Sequence, residues 1–363
     1  MASFSIDPDI RRARSLPSEA YTSDAWFSRM RDRVFARTWH FVADASEVEK
    51  PGQVLPCTML ERCLDEPIVL SRDAGGTLHG LSNVCTHRGN LVVQQEGQVE
   101  GLRCRYHGRR FALDGRFVSM PEFEGVHGFP SSSDDLARIP LGRLEHLLFA
   151  SVEPAMSFDD VVGPVRGHLR ALGPLTFAPE RSRDYELAAN WALYCDNYLE
   201  GFHIPFVHPA LAAAVDYGSY RTDLCRWGTL QVARARDGED AFEGGVAAYY
   251  AFLFPGTMLN IYPWGLSLNV VRPLAVDRTA VSFRTYVGDA GRLGRGAGAD
   301  LHSVEMEDEA VVQTVQRGVR SRLYRAGRYS PTRETGVHHF HRLLAERMGE
   351  DATSVDPPPR SGP

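Results

Sequence analysis

No run in the 363 residues approaches eighteen consecutive apolar side chains, so no membrane-spanning helix is expected. The opening MASFSIDPDIRRARSLPSE lacks the apolar core of an export signal, which makes a cytoplasmic location the expectation. Positive charge is also short. Forty Lys and Arg against 46 Asp and Glu give a net charge of −6 and a pI of about 6.1, which argues against nucleic acid as a partner. Cysteine is sparse, with six in all, and Cys57, Cys63, Cys195 and Cys225 show no framework spacing, so free buried thiols are expected rather than disulfides. There are no internal repeats. What is plentiful is apolar content, at 43%, enough to bury a sizeable core in two domains.

The two remaining cysteines stand in a pattern. Cys85 and His87 lie two apart in CTHRG, sixteen residues intervene, and Cys104 and His107 lie three apart in CRYHG. Two thiolates and two imidazoles on paired loops suit a [2Fe–2S] cluster in which one iron takes the cysteines and the other the histidines, a Rieske centre. A structural zinc site is the competing reading. Zinc knuckles usually pair like with like, whereas each motif here mixes one Cys with one His, which favours iron–sulfur.

From Thr38 to Glu153 short β-rich runs (HFVAD, PIVLSRD, LHGLSNVC, FALDG, LLFASVEP) alternate with Gly, Pro and Asp turns, the pattern of a small antiparallel β domain with both motifs on loops. Beyond Phe177, RDYELAANWALY reads as strand-like, YYAFLFPGTMLNIYPWGLSLNVVRPL and AVSFRTYVG as long antiparallel strands, and LHSVEMEDEAVVQTVQRGVRSRLYRAG as a helix with Val304, Val311, Val312, Val315 and Val319 at near-helical spacing. The division expected is a helical N-terminal extension over 1–37, the cluster domain over 38–155, an α+β second domain over 156–348 and a disordered Pro- and Asp-rich tail over 349–363.

A second constellation lies in the second domain, where Glu200 precedes His203 by three residues and His208 follows it by five. Non-haem Fe(II) oxygenases hold iron on two His and one carboxylate and leave its other positions for O₂ and substrate. Five residues turn a regular helix by about 500°, so both rings reach one metal only if the helix is distorted between them, and Pro205 is placed to break it. The plain alternative is two hydrogen-bonded His on a helix flank.

With both motifs on one chain, from CTHRG and CRYHG through NW…DNYLEGFHIPFVHP to VQRGVRSRLY…GRYSPTRETGVHHFHRLL, the sequence resembles the catalytic α subunits of Rieske non-haem iron oxygenases, and within them the choline- and carnitine-monooxygenase branch. The resemblance implies an α+β fold, an antiparallel β Rieske domain joined to a helix-grip, START-like catalytic domain with an antiparallel sheet. It also implies a [2Fe–2S] cluster, a mononuclear Fe(II), a homotrimer, and electrons from NAD(P)H through a flavin or iron–sulfur reductase or a ferredoxin. The family's third iron ligand is an Asp on a late helix. In Glu305-Met-Glu307-Asp308-Glu309 it is carried to Asp308, the other carboxylates being read as a solvated acidic face. Glu200 takes the position of the family's bridging carboxylate, which passes electrons between a neighbouring subunit's Rieske His and the mononuclear iron. Asn190 and Asp196 are weaker site candidates, and His338, His339 and His341 are expected in a C-terminal helix as packing or surface residues.

The expected activity is hydroxylation of a small organic substrate by O₂ and reductase-derived electrons, a quaternary ammonium compound or, alternatively, an aromatic acid. Tyr250, Phe252, Phe254, Met258, Tyr262 and Trp264 are pocket candidates, rings that could cage an ammonium by cation–π attraction or simply fill the core. A bare electron carrier needs only the first domain, and some 200 further residues argue against it. A zinc-stabilised binding protein would be colourless where a Rieske protein is red-brown.

Overall fold

The computed structural model describes residues 5–349. The expected tail falls outside them, save Gly349, which ends a helix. Near the N-terminus, Ser23 accepts the backbone N–H of Trp26 and so caps the helix Asp24–Arg33, which buries Trp26 and Met30. Arg29 and Arg33 donate to the Met348 carbonyl, tying this helix to the end of the C-terminal helix Thr335–Gly349.

The next stretch forms three small antiparallel sheets. One has the order Leu78–Ser82, Glu66–Arg72, Gln53–Met59, Gly97–Gln98; another joins His40–Asp44, Leu147–Ala150 and Leu141–Leu144; the third joins Leu102–Arg103, Arg110–Phe111 and Phe117–Ser119. Val54, Val69, Leu81, Leu102 and Phe111 form an apolar floor that also takes in Cys85 and Cys104, which sets both sulfurs on the core side of their loops.

The second unit is built on an eight-stranded antiparallel sheet. Along it run Thr176–Phe177, Arg278–Val287, Gly265–Ala275, Thr257–Tyr262, Val246–Leu253, Gly228–Ala235 and Val215–Cys225, and Arg183–Leu187 also pairs with Arg278–Val287. Every residue of Thr257–Tyr262 is buried, as befits a central strand covered on both faces. The helices Trp191–Tyr198 and Leu301–Val319 pack against one another, and the first also contacts the strand Gly265–Ala275.

Three local expectations need correction. The strand-like reading of RDYELAANWALY holds only to Leu187, because Asn190 caps a helix starting at Trp191. The late helix ends at Val319, and its buried face is Glu305, Glu309, Val312, Gln316 and Val319, while Val315 is 41% exposed. The acidic stretch is therefore not a solvated face. Polar partners on neighbouring elements draw that side inward: Tyr194 donates to Glu305, and Gln316 accepts the Asn190 backbone N–H. The break between the two site histidines comes from Pro209 rather than Pro205. Pro205 sits harmlessly in the first turn of the short helix Ile204–Val207, whereas His208, just before Pro209, has left the helical region (φ −117°, ψ 80°) and separates it from the helix Pro209–Ala214.

Candidate active site and cluster loops

The two cysteine loops are built alike. In each, the cysteine N–H donates to the carbonyl five residues on (Cys85 to Asn90, Cys104 to Arg109, both 2.9 Å), and its carbonyl accepts the N–H of the glycine four residues on. Both glycines need the left-handed region, Gly89 at φ +68° and Gly108 at φ +76°, which is why CTHRG and CRYHG end as they do. The loops bring the His87 and His107 rings to 4.7 Å between centroids while Cys85 and Cys104 are 3% and 2% exposed. Burial pushes the Cys85 thiol up. Burial acts on Cys104 too, but backbone donors at Tyr106 and His107 and the Asn90 amide, 3.4 Å from its sulfur, turn its shift downward. His87 is lowered, first by burial and then by His107, which favours the neutral imidazole that binds metal.

Arg109, 2% exposed, braces the second loop. It pairs with Asp134 at 2.7 Å, and its guanidinium lies 4.9–5.7 Å from the ring centroids of Phe111, Phe117 and Phe129. Tyr106, 58% exposed, covers His107 with ring centroids 3.8 Å apart.

In the second unit, His203, His208 and Asp308 each offer a donor atom within 4.8 Å of the others. Nε2 of His208 lies 3.0 Å from Asp308 Oδ1 and that of His203 3.5 Å from the same oxygen. The opposite ring nitrogens meet two other carboxylates: His203 Nδ1 is 2.6 Å from Glu200 and His208 Nδ1 is 2.6 Å from Glu307. A carboxylate only accepts, so each Nδ1 donates to its own carboxylate, and each Nε2, the nitrogen on the Asp308 side, is the atom placed to bind a metal. Burial lowers His208, but the carboxylates of Asp308 and Glu307 outweigh it and its net shift is upward. Asn197 donates to Asp308 at 2.6 Å and fixes its rotamer. Glu307 and Asn197 escaped the sequence reading; the one signal for Glu307 was its place beside Asp308.

These residues open onto a cavity of about 700 Å³, part of it continuous with solvent. One wall is helical, with Tyr194, Asn197, Tyr198, Val304 and Glu305, and the facing wall comes from the sheet, with Tyr220, Tyr250, Asn260, Tyr262 and Asn269. The Tyr250 ring stands nearly perpendicular to those of Tyr198 (90°, 6.5 Å) and Tyr262 (81°, 6.0 Å). Glu305 is 3% exposed, and burial raises its carboxyl to about 8.

Several candidates lie elsewhere. Phe252 packs on Phe340 of the C-terminal helix, Trp264 stacks behind Tyr262, and Phe254 and Met258 are core; none lines the cavity. Asn190 accepts from the Ala192 N–H and donates to the Val276 carbonyl, so its amide is spent on a helix cap away from the cavity. Asp196 bonds Tyr21 and His341 on the other side of its helix, and His338 and His339 donate to the backbone carbonyls of Asp7 and Cys225.

The sequence matches two family models, the Rieske [2Fe-2S] domain over residues 38–130 and the catalytic domain of the ring-hydroxylating alpha subunit over 175–350. The chain belongs to the Rieske non-haem iron oxygenases. It is 30% identical over 369 residues to the chloroplastic choline monooxygenase of Arabidopsis thaliana, covering 94% of this chain and 85% of that one. It is equally 30% identical to the carnitine monooxygenase oxygenase subunit of Escherichia coli K12, covering 93% and 94%. A crystal structure of a quaternary ammonium Rieske monooxygenase superposes with a TM-score of 0.77 at 25% identity, covering 94% of this chain and 97% of the other. The protein is thus an oxidoreductase, a terminal oxygenase that uses a Rieske [2Fe–2S] cluster, a mononuclear non-haem iron, O₂ and electrons from a reductase. Among the described residues no helix is long and apolar enough to cross a membrane.

Proposed function

We propose that the protein hydroxylates a quaternary ammonium compound, R–H + O₂ + 2e⁻ + 2H⁺ giving R–OH + H₂O, with the electrons drawn from NAD(P)H through a separate reductase or ferredoxin. If the carbon is an N-methyl group, the carbinolamine then collapses to formaldehyde and the demethylated amine. The observation that carries this reading is the union, in one cavity, of a two-His, one-carboxylate donor set with a box of tyrosine rings.

In the same proposal Cys85 and Cys104 hold one iron of the cluster, His87 and His107 the other, and His203, His208 and Asp308 the mononuclear iron. The donors fit. Cys104 receives N–H groups as a thiolate ligand does, and the two Nε2 atoms and the Asp308 oxygen converge as a facial set requires. When bound, the two centres supply electron transfer and O₂ activation. The chain's part is to hold and orient: Glu307 and Glu200 fix the His208 and His203 rings through Nδ1, Asn197 fixes Asp308, and the tyrosines keep the substrate carbon beside the metal.

A homotrimer in which one subunit's cluster serves a neighbour's Glu200 belongs to this reading. It is supported by exposed apolar side chains at both ends, Tyr106 on His107 and, beside His203, Phe202 and Phe206, the latter 80% exposed. The division at about residue 155 is supported by two hydrophobic clusters confined to 42–152. A cytoplasmic setting is supported by Cys57, Cys63, Cys195 and Cys225, which stand as free thiols outside the cluster loops.

The test is turnover with a surrogate reductase, NADH and isotope-labelled dioxygen against pooled quaternary ammonium compounds and aromatic acids. A labelled or demethylated ammonium product upholds the proposal. Label only in a ring product overturns it.

A further inference from the structure

The charges on the cavity wall narrow the substrate further. Among the described residues lining it, the acids and bases are Glu200, His203, His208, Glu305 and Asp308; no Arg or Lys is present, although the chain carries 40 of them. Two of these are the imidazoles assigned to iron. Apart from the metal, then, the lining offers no cationic side chain, and its remaining ionisable groups are carboxyls.

The hydroxyl groups do not make up the deficit. Tyr194 donates to Glu305 (2.8 Å), Tyr198 to Asn260 Oδ1 (2.8 Å) and Tyr220 to Gln231 (3.1 Å), so these three rings turn their hydroxyls into the protein. Tyr250 and Tyr262 bond one another through their hydroxyls, so the donors left on the sheet wall are one of these phenols and the side-chain amides of Asn260 and Asn269, all neutral groups suited to a hydroxyl or an ether. A substrate carboxylate brought here would lose water without gaining a cation. An ammonium group would meet ring faces and carboxyl groups.

Resting on the reading above, we propose that the cavity selects cations that carry no anionic group, trimethylammonium alcohols and their kin, over zwitterionic trimethylammonium carboxylates of the same length. The tyrosine box takes the head, Asn260 and Asn269 bond the neutral tail, and the missing basic residue is what excludes the carboxylate.

The experiment uses the holoenzyme with its reductase or a surrogate, and two matched pairs: choline against glycine betaine, and (4-hydroxybutyl)trimethylammonium against 4-(trimethylammonio)butanoate. Product formation and calorimetric binding are measured for each. The expected result is a kcat/KM ratio favouring the alcohols on the order of a hundredfold, with a matching order of affinities. Asn260→Arg, or Asn269→Lys should the first variant fail to fold, supplies the absent cation and should shrink the ratio at least tenfold. A carboxylate that binds and turns over as well as its alcohol overturns this inference and leaves the quaternary ammonium reading standing. If neither member of either pair binds, both fall.

Discussion

Replacing Glu305 by Gln tests whether the cavity wall holds a neutral carboxyl group at ordinary pH. The side chain is 3% exposed, and burial, reinforced by the nearby charges of Asp308 and Glu309 and opposed by the bond from Tyr194, raises it from 4.5 to about 8. The folded protein therefore keeps a proton here that the unfolded chain has released between about pH 5 and pH 8, so stability falls as pH rises through that window. At about 1.4 kcal/mol per unit, this one site costs roughly 4 kcal/mol across it. Glutamine has the same shape, still accepts from Tyr194 and never ionises. The two proteins should differ little near pH 5, and the variant should gain on the wild type by roughly 4 kcal/mol as pH approaches about 8. Guanidinium denaturation followed by tryptophan fluorescence at a series of pH values reads this directly, and comparing two proteins at each pH cancels the titration of every distant group. Parallel stability profiles would refute the reasoning, because they would mean that the carboxyl ionises in the folded protein without penalty.

Four further outcomes are expected. His203→Ala should keep the red-brown cluster absorption, lose about one iron per chain by metal analysis and abolish oxygenation; full iron content would remove His203 from the donor set. Glu200→Gln should retain both metals and lower turnover on the order of tenfold or more, and normal turnover would end its bridging role. Asn90→Ala takes away the amide 3.4 Å from the Cys104 sulfur and should lower the cluster's midpoint potential in protein-film voltammetry, whereas an unchanged potential would show that the contact has no electronic effect. Phe252→Ala should destabilise the fold by about 3–5 kcal/mol without reordering substrate preference, and a changed order would put that ring back in the cavity.

The parts of this architecture that could be read in the sequence are those where chemistry sits at short spacing. Cys85, His87, Cys104 and His107 are brought together by two loops of six residues closed by their own backbone, so little beyond the motif is needed. The pair His203 and His208 was legible for the same reason, though the wrong proline was held responsible for the kink. What failed depended on distant neighbours. Tyr250 and Phe252 share a face of one strand by alternation, yet only the first meets the cavity, because Phe340, nearly ninety residues later, covers the second. The acidic run on the late helix looked solvated because nothing local announces that Tyr194 and His208, more than ninety residues earlier, receive Glu305 and Glu307. Asn190 looked like a site residue because a capping amide and a pocket amide are the same letter in the sequence.

The proposed iron donors come from the late helix and from the ends of the short helix Ile204–Val207, whereas Tyr220, Tyr250, Asn260, Tyr262 and Asn269 come from the sheet. Oxidising machinery and molecular taste thus reside on opposite walls, written in separate stretches of the chain. Drift in a few strand residues can acquaint the cavity with a new guest while the helices keep the metal untouched. An engineer seeking a new substrate has a palette on the strands, with Tyr250, Tyr262 and Asn269 freer to vary than Tyr220, which packs on Gly201 beside Glu200, or Asn260, which accepts from Tyr198.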